Sequence, residues 1–339
     1  MSDRPSEIAR FLRAAGWENA VRAPLAGDAS ARRYERLTGG AGTAVLMDDP
    51  ARALGSAARF LSVGAWLRDR GYSAPRVFSA DPANGLLLLE DLGDSQFLAV
   101  LDGDPGAENR LYSSAIGFLG DLHRHTPPAD LAPLDGQTLA DLLTLTLDCY
   151  LPATDAPAGT AAAAIPPMVE RLHDMLPPRP PVMCLRDFHA GNLIWLPGRT
   201  PPADCGLLDF QDAVAAHPAY DLVSLLQDVR RDVMPTTEAA MIRSYLDLTG
   251  QDDETFRRAY ALLGAQRQLR ILGVFARLCL QYGKPGYVDL LPRVWGYLCR
   301  NLAHPDLSDL SRLVHAAIPE PNAQRLQGIK DRCATIPDR

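Results

Sequence analysis

The segment Cys184-Leu-Arg-Asp-Phe-His-Ala-Gly-Asn192, followed by Gly206-Leu-Leu-Asp-Phe-Gln211, decides the fold of this chain. Residues 182–196 and 205–211 predict two short apolar strands around a polar loop, with long helical patterns on either side. Apolar strands hold neighbouring polar groups rigidly, which matters most for chemistry that depends on positioning and electrostatics. The segment is therefore the candidate functional centre.

Three oxygen-bearing side chains lie in this segment, Asp187, Asn192 and Asp209. Phosphoryl transfer from ATP needs a carboxylate beside the acceptor hydroxyl and oxygen ligands for the magnesium ions that bridge the phosphates. A D-x-x-x-x-N spacing is a weak signal alone, but an apolar-apolar-Asp-Phe strand end within about twenty residues makes it strong. In the competing interpretation both aspartates only cap turns, and the combination of the two motifs disfavours it.

The composition favours a folded chain that acts on a small molecule. Its 339 residues are 47% hydrophobic, enough to bury a sizeable core in two lobes. The formal net charge of -7 disfavours a broad electrostatic contact with nucleic acid or an anionic membrane. We therefore expect a small-molecule substrate, no nucleic acid, no membrane and a monomeric protein.

Cysteine usage and the N-terminal segment indicate the cytoplasm. The six cysteines are scattered, without a C-x-x-C pair or the His/Cys spacing of a zinc site, and are interpreted as free thiols. Residues 1–13 carry charges before any apolar run, so no signal or transit peptide is expected. The apolar stretch 261–280 contains three arginines, which argues against a transmembrane helix.

Periodicity divides the chain into a sheet-containing part, residues 1–92, and a mainly helical part, residues 93–339. The first part is predicted to contain helices at 5–15 and 52–70 and strands at 34–37, 43–47, 77–78 and 86–90. The second is predicted to contain helices at 109–125, 141–151, 161–176, 220–229, 237–248 and 253–282. The expected fold class is α+β.

The two motifs resemble the catalytic loop and metal-binding segment of aminoglycoside phosphotransferase-like kinases, and the resemblance spans most of the chain. Other stretches look more narrowly like bacterial anomeric sugar kinases, which phosphorylate N-acetylmuramate and N-acetylglucosamine at the C1 hydroxyl in cell-wall recycling. These stretches are 27–34, 45–48, 89–92, 217–221 and 266–270. The resemblance implies a bilobal protein-kinase-like fold and an ATP-dependent amino-sugar kinase that uses Mg²⁺.

The resemblance also implies roles for the central side chains. Asp187 would accept or orient the proton of the anomeric hydroxyl, while Asn192 and Asp209 would hold magnesium. Asp221, in His-Pro-Ala-Tyr-Asp, matches an aspartate at a helix start that supports the catalytic loop. An ordinary acid at a helix N-terminus is an equally good interpretation of Asp221.

Two segments are expected at the nucleotide: a loop that covers the triphosphate through backbone amides and an inter-lobe hinge beside the adenine. Their residues are Gly27, Asp28, Ala29 and Ser30 in the loop and Glu90 and Leu92 in the hinge. An ordinary turn capped by Asp28 is the alternative interpretation of the loop.

The chain departs from the kinase pattern at the phosphate-binding lysine. Met47 stands nearest that position, and the predicted helix at 52–70 contains no glutamate to serve as its partner. A pair that is lost as a unit leaves no unpaired buried charge. Arg32 and Arg33 are predicted to compensate the phosphate charge, since guanidinium groups suit bidentate phosphate contacts. Ordinary surface arginines are the alternative.

The acceptor is expected to contact polar residues of the catalytic segment and of the helix at 253–282. The predicted residues are His189, Gln211, Gln266 and Arg270. A loop-packing histidine is the alternative for His189, and arginines that pair with structural carboxylates are the alternative on the helix.

Two other functions compete with the amino-sugar kinase. A pocket for a polycationic aminoglycoside should be lined by carboxylates, whereas residues 261–284 offer arginine and glutamine. A nucleotide-binding pseudokinase would explain the missing lysine and glutamate, but it would not explain why Asp187, Asn192 and Asp209 are all present.

Overall fold

The computed structural model describes residues 3–25, 32–40, 42–49, 55–156 and 159–337. Nine strands occur in these residues, all of them short. They are β1 (Val21–Pro24), β2 (Arg33–Gly39), β3 (Gly42–Asp48), β4 (Val77–Asp81), β5 (Leu86–Glu90), β6 (Val182–Cys184), β7 (Leu193–Trp195), β8 (Cys205–Leu207) and β9 (Val214–Ala216).

Helices account for most of the remaining described structure. They are α1 (Arg4–Ala14), α2 (Ser56–Arg68), α3 (Phe97–Gly103), α4 (Glu108–Leu122), α5 (Gly136–Asp141), α6 (Leu151–Ala153), α7 (Thr160–Ala163), α8 (Ile165–Asp174), α9 (Ala219–Leu226), α10 (Pro235–Thr249), α11 (Asp253–Leu280), α12 (Leu291–Leu302), α13 (Ser308–Ala317) and α14 (Ala323–Asp331). A π-helical turn occupies Thr146–Tyr150. No helix within the described residues is long and apolar enough to cross a membrane.

Two compact units make up the chain: residues 1–121 with 185–213, and residues 122–184 with 214–339. Asp187, Asn192 and Asp209 belong to the first unit, together with the N-terminal sheet. A division at residue 92 stays a prediction.

The first unit is built on a five-stranded antiparallel sheet in the order β1-β2-β3-β5-β4. Side chains alternate between the faces of a strand, so the four consecutive buried leucines of β5, residues 86–89, indicate burial on both faces. One face packs against α1, where helical spacing places Ile8, Phe11 and Leu12 on the buried side. The opposite face buries Met47 of β3.

The long helix α11 organises the second unit. It packs against α9, α12 and the turn Thr146–Tyr150, and most of its 28 residues are buried. At Gly273 a Cβ atom would lie 2.3 Å from the carbonyl carbon of Leu145 and 2.4 Å from the amide nitrogen of Thr146. Only glycine allows this approach of backbone to helix.

The α+β class and the main elements are as predicted, with two corrections. The single helix predicted at 141–151 is wrong, because α5 ends at Asp141 and the π-helical turn follows where the backbone meets Gly273. The single helix predicted at 161–176 is also wrong, because α7 ends at Ala163 and α8 begins at Ile165. The strands β1 and β9 and the helices after residue 290 were not predicted.

Candidate functional site

The loop before β7 holds Asp187 in a tight turn. The amide of Asp187 donates to the carbonyl of Leu185 over 2.9 Å, and the residue between them, Arg186, has a φ of +69°. A left-handed arginine is disfavoured by contact of its Cβ with the following carbonyl. Such a conformation persists where the surroundings enforce it, which is frequent at functional sites.

Asn192 joins this loop to the second motif. Its Nδ2 donates to the carbonyl of Asp187 over 2.9 Å, and its own carbonyl accepts the amide of Leu208 over 2.9 Å. The pairing of β7 with β8 brings the two motifs side by side. Because the amide nitrogen is committed to Asp187, the orientation of the side chain leaves Oδ1 as an acceptor for another group.

Asp209 follows β8 and is the second residue of the site with positive φ, at +53°. Burial raises the pKa of Asp209; the hydrogen bond from Gln211 opposes this, and the charge of Asp187 adds to it. A carboxylate and a neutral amide oxygen are hard oxygen donors of the kind that Mg²⁺ prefers, so the chemistry of Asp209 and Asn192 fits Mg²⁺.

Arg32, just before β2, contacts the same carboxylate. Its Nη1 lies 3.1 Å from Oδ1 of Asp209, and its Nε lies 3.9 Å from Oδ2 of the buried Asp49. Arg33 is exposed, and its backbone pairs with Asp48 in the sheet. The structure therefore brings only one of the two predicted arginines to Asp209, because successive side chains of an extended backbone point in opposite directions.

Two residues near Asp209 were missed by the sequence analysis. Nη2 of Arg32 lies 3.8 Å from Oδ2 of Asp212, and Nη2 of Arg59 on α2 lies 3.3 Å from Oδ1 of the same residue. Asp212 could have been found because it follows Asp209 by three positions, whereas no local signal marks Arg59.

Gln211 and His189, both predicted to contact the acceptor, have partners inside the site. Nε2 of Gln211 donates to Asp209 over 2.8 Å and to Asp212 over 3.1 Å. Nε2 of His189 lies 3.3 Å from Nδ2 of Asn192, and the side chain is buried. These contacts organise the loop, and contact with an acceptor stays a prediction for both residues.

The predicted nucleotide-contacting residues fall into two groups. Gly27, Asp28, Ala29 and Ser30 lie outside the described residues. Glu90 ends β5 and pairs with Arg199 over 2.9 Å, and Leu92 lies half-buried in the following coil. Binding of the adenine by this segment stays a prediction.

The remaining predicted residues belong to the second unit. Gln266 is fully buried, and its Nε2 donates to the carbonyl of Leu139 over 2.8 Å. Arg270 is half-buried on α11. Asp221 is fully buried at the start of α9, a position that suits the predicted structural role.

Asp221 also belongs to a group with half-buried His123 and buried Cys184, whose candidate ligand atoms all lie within 4.8 Å of one another. Burial and the nearby charge of Asp221 raise the pKa of the Cys184 thiol well above its ordinary value. A protonated thiol is a poor metal ligand. Nδ1 of His123 is hydrogen-bonded to the hydroxyl of Tyr245 at 2.7 Å. We therefore interpret the three residues as a structural cluster that stabilises the backbone at Cys184, and not as a metal site.

Comparisons with known proteins agree with this geometry. The N-acetylmuramate/N-acetylglucosamine kinase of Caulobacter vibrioides is 38% identical to this chain. The match covers 94% of this chain and 98% of that kinase. The enzyme of the same name from Pseudomonas aeruginosa is 33% identical, with 88% of each chain covered. The choline kinase LicA from Streptococcus pneumoniae matches with a TM-score of 0.62 over 88% of this chain and 100% of its own, at 13% identity.

The structural likeness confirms the predicted protein-kinase-like fold. A family model described as the phosphotransferase enzyme family matches residues 21–262, which is more than half of the sequence. The chain belongs to the phosphotransferase enzyme family.

Proposed function

We propose that this protein is an ATP-dependent kinase that phosphorylates the C1 hydroxyl of N-acetylmuramate, N-acetylglucosamine or both. The observation that carries the proposal is the convergence of Asp187, Asn192 and Asp209 on one loop and one strand end. The relatives named above supply the substrate class, since their names specify these two amino sugars.

Asp187 is the proposed catalytic residue. The anomeric oxygen attacks the γ-phosphorus of ATP, the bond from that phosphorus to the β,γ-bridging oxygen breaks, and ADP leaves. Asp187 orients the attacking hydroxyl and receives its proton. The turn across Arg186 and the hydrogen bond from Asn192 fix the backbone of Asp187, so the carboxylate needs little reorganisation during the reaction.

Asn192 and Asp209 are the proposed ligands of magnesium. When bound, the ion would neutralise phosphate charge. Asp209 provides a carboxylate, and Asn192 provides a neutral oxygen. Arg32 supplies further positive charge at the same carboxylate.

The acceptor is proposed to be an amino sugar that has been recovered from the cell wall, and the reaction is proposed to take place in the cytoplasm. Arg270 would pair with the lactyl carboxylate that distinguishes N-acetylmuramate from N-acetylglucosamine, since guanidinium binds carboxylate in a bidentate manner. Gln266, His189 and Gln211 remain proposed contributors to the acceptor site.

The experiment incubates the protein with magnesium-ATP and each amino sugar, and follows the products by phosphorus NMR before and after borohydride reduction. A phosphate at C1 removes the reducing end, so the expected product resists reduction. Phosphate at C6 alone, or on aminoglycosides alone, would overturn the proposal.

The Asp187→Asn variant provides the mechanistic control. It should lose turnover by a factor of about 10² or more while it still binds magnesium-ATP. Nucleotide binding by the wild type without turnover on any acceptor would instead support the pseudokinase.

A further inference from the structure

The described part of the site lacks the usual means of holding ATP phosphates. Met47 occupies the place on β3 where the kinase pattern has a lysine, and its side chain is only 1% exposed. The helix α2, Ser-Ala-Ala-Arg-Phe-Leu-Ser-Val-Gly-Ala-Trp-Leu-Arg, contains no acid that could pair with such a lysine. Positive charge must therefore reach the phosphates from other positions.

The structure contains an ion-pair network in which the charges are reversed relative to the usual pair: the helix contributes the base instead of the acid. The helix α2 contributes a base, Arg59, whose Nη2 lies 3.3 Å from Oδ1 of Asp212. Arg32 approaches the other oxygen of Asp212 at 3.8 Å and Asp209 at 3.1 Å. The acid of this network, Asp212, lies three positions after the proposed metal ligand Asp209. The two bases come from α2 and from the residue before β2.

Gln211 fixes Asp212 relative to Asp209. Its Nε2 donates to a carboxylate oxygen of each aspartate, at 2.8 and 3.1 Å, and the side chain is 2% exposed. Asp212 is thus held by an amide beside the proposed metal ligand and contacts both arginines. The side chain of Arg59 is 49% exposed, and a guanidinium has five N–H donors, more than the one contact with Asp212 uses.

We propose that Asp212 is a positioning residue that aligns Arg32 and Arg59 for contact with the β- and γ-phosphates of ATP. This proposal depends on the proposed function in one respect only, which is that the protein binds ATP. The three side chains replace the missing lysine–glutamate pair, with two guanidinium groups at the phosphates and a carboxylate that orients them.

The sign of one substitution distinguishes positioning from simple proximity. If Asp212 were only a negative charge near the triphosphate, its removal would relieve repulsion and strengthen ATP binding. If Asp212 aligns the arginines, its removal weakens ATP binding. AMP lacks the β- and γ-phosphates, so its affinity should not depend on this network.

The experiment measures the Kd of magnesium-ATP and of AMP by calorimetry for wild type, Arg59→Gln, Asp212→Asn and the double variant. We expect each single substitution to weaken magnesium-ATP about tenfold or more, since charge-assisted hydrogen bonds to phosphate are lost. AMP affinity should stay within about twofold of wild type. Arg59→Gln should cost less in the Asp212→Asn background than alone, because coupled residues are not additive.

Arg22 and Glu35 provide a matched control pair, since they form an exposed ion pair at 2.5 Å in the same unit. The Arg22→Gln and Glu35→Gln variants should bind both nucleotides like wild type. Unchanged or tighter magnesium-ATP binding by Asp212→Asn would overturn the proposal, as would equal losses for ATP and AMP. Because calorimetry needs no acceptor, these outcomes are independent of which sugar is phosphorylated.

Discussion

Arg32 and Asp209 are separated by 177 positions in the sequence, yet Nη1 of the arginine lies 3.1 Å from Oδ1 of the aspartate. The pair joins the residue before β2 to the second residue after β8. It places a guanidinium beside the carboxylate that is proposed to bind magnesium. The consequence is a site in which positive charge is already present at the position where phosphates and metal are proposed to meet.

Replacing Asp209 by asparagine should separate stability from function. Burial raises the pKa of Asp209 above the ordinary 3.8. The stability that this group contributes is therefore present at low pH and is lost as the pH rises from 3.8 through the raised folded pKa. At pH 7 the charged form is unfavourable in the folded protein, so Asp209→Asn should melt no lower than wild type in a thermal scan without divalent ions. It should also lose the stabilisation that magnesium-ADP gives the wild type.

Asp94 provides a control of opposite sign. The hydrogen bond from Arg36 lowers the pKa of the exposed Asp94 carboxyl, so its contribution to stability is present at pH 7. Asp94→Asn should therefore leave the melting temperature unchanged or slightly lower, by no more than the small worth of a surface ion pair, about 1 kcal/mol. A marked loss of stability in Asp209→Asn would show that the contact with Arg32 outweighs the burial of the charge.

How much of this site the sequence predicts depends on how far apart in the sequence the contacting residues lie. Asp187, Asn192 and Asp209 lie on a loop and a hairpin, where local spacing alone brings them together. The selection of Arg32 over Arg33 depends on the direction of each side chain at the start of β2. The pairing of Arg59 with Asp212 depends on how α2 packs, and no pattern in 56–68 encodes that. The π-helical turn likewise depends on Gly273, more than a hundred residues away.

Gly273→Ala should destabilise the protein. The added Cβ would lie 2.3 and 2.4 Å from the backbone carbonyl atoms of Leu145, and backbone cannot move aside as a flexible side chain can. We expect a loss of about 1 to 3 kcal/mol, measured as a lower midpoint in urea unfolding.

Gly296 in the middle of α12 is the matched control, because a Cβ there would meet nothing within 4 Å. Gly296→Ala should stabilise the protein by about 0.5 to 1 kcal/mol through helix propensity. Equal urea midpoints for wild type and Gly273→Ala would contradict this prediction. They would mean that α11 and the π-helical turn can move apart with little loss of unfolding free energy.

His123 should make the protein sensitive to acid. Burial and the charge of Arg179 lower the pKa of His123 to about 3. The folded imidazole therefore stays neutral while the unfolded one gains a proton below about 6.5. The unfolded state binds more protons between these two values, so stability falls as the pH decreases from 6.5 towards 3. The slope for one histidine is about 1.4 kcal/mol per pH unit in the middle of this window.

His123→Gln removes this titration and keeps a polar group beside the hydroxyl of Tyr245. Urea unfolding at several pH values between 4.5 and 5.5 should give a slope about 1.4 kcal/mol per pH unit smaller than that of wild type. The slope is informative even if the variant is less stable at every pH, because a constant loss of packing does not depend on protons. A wild-type slope in His123→Gln would mean that the folded protein admits a proton to this ring, and the acid sensitivity would then have to come from His217, whose pKa burial also lowers to about 3.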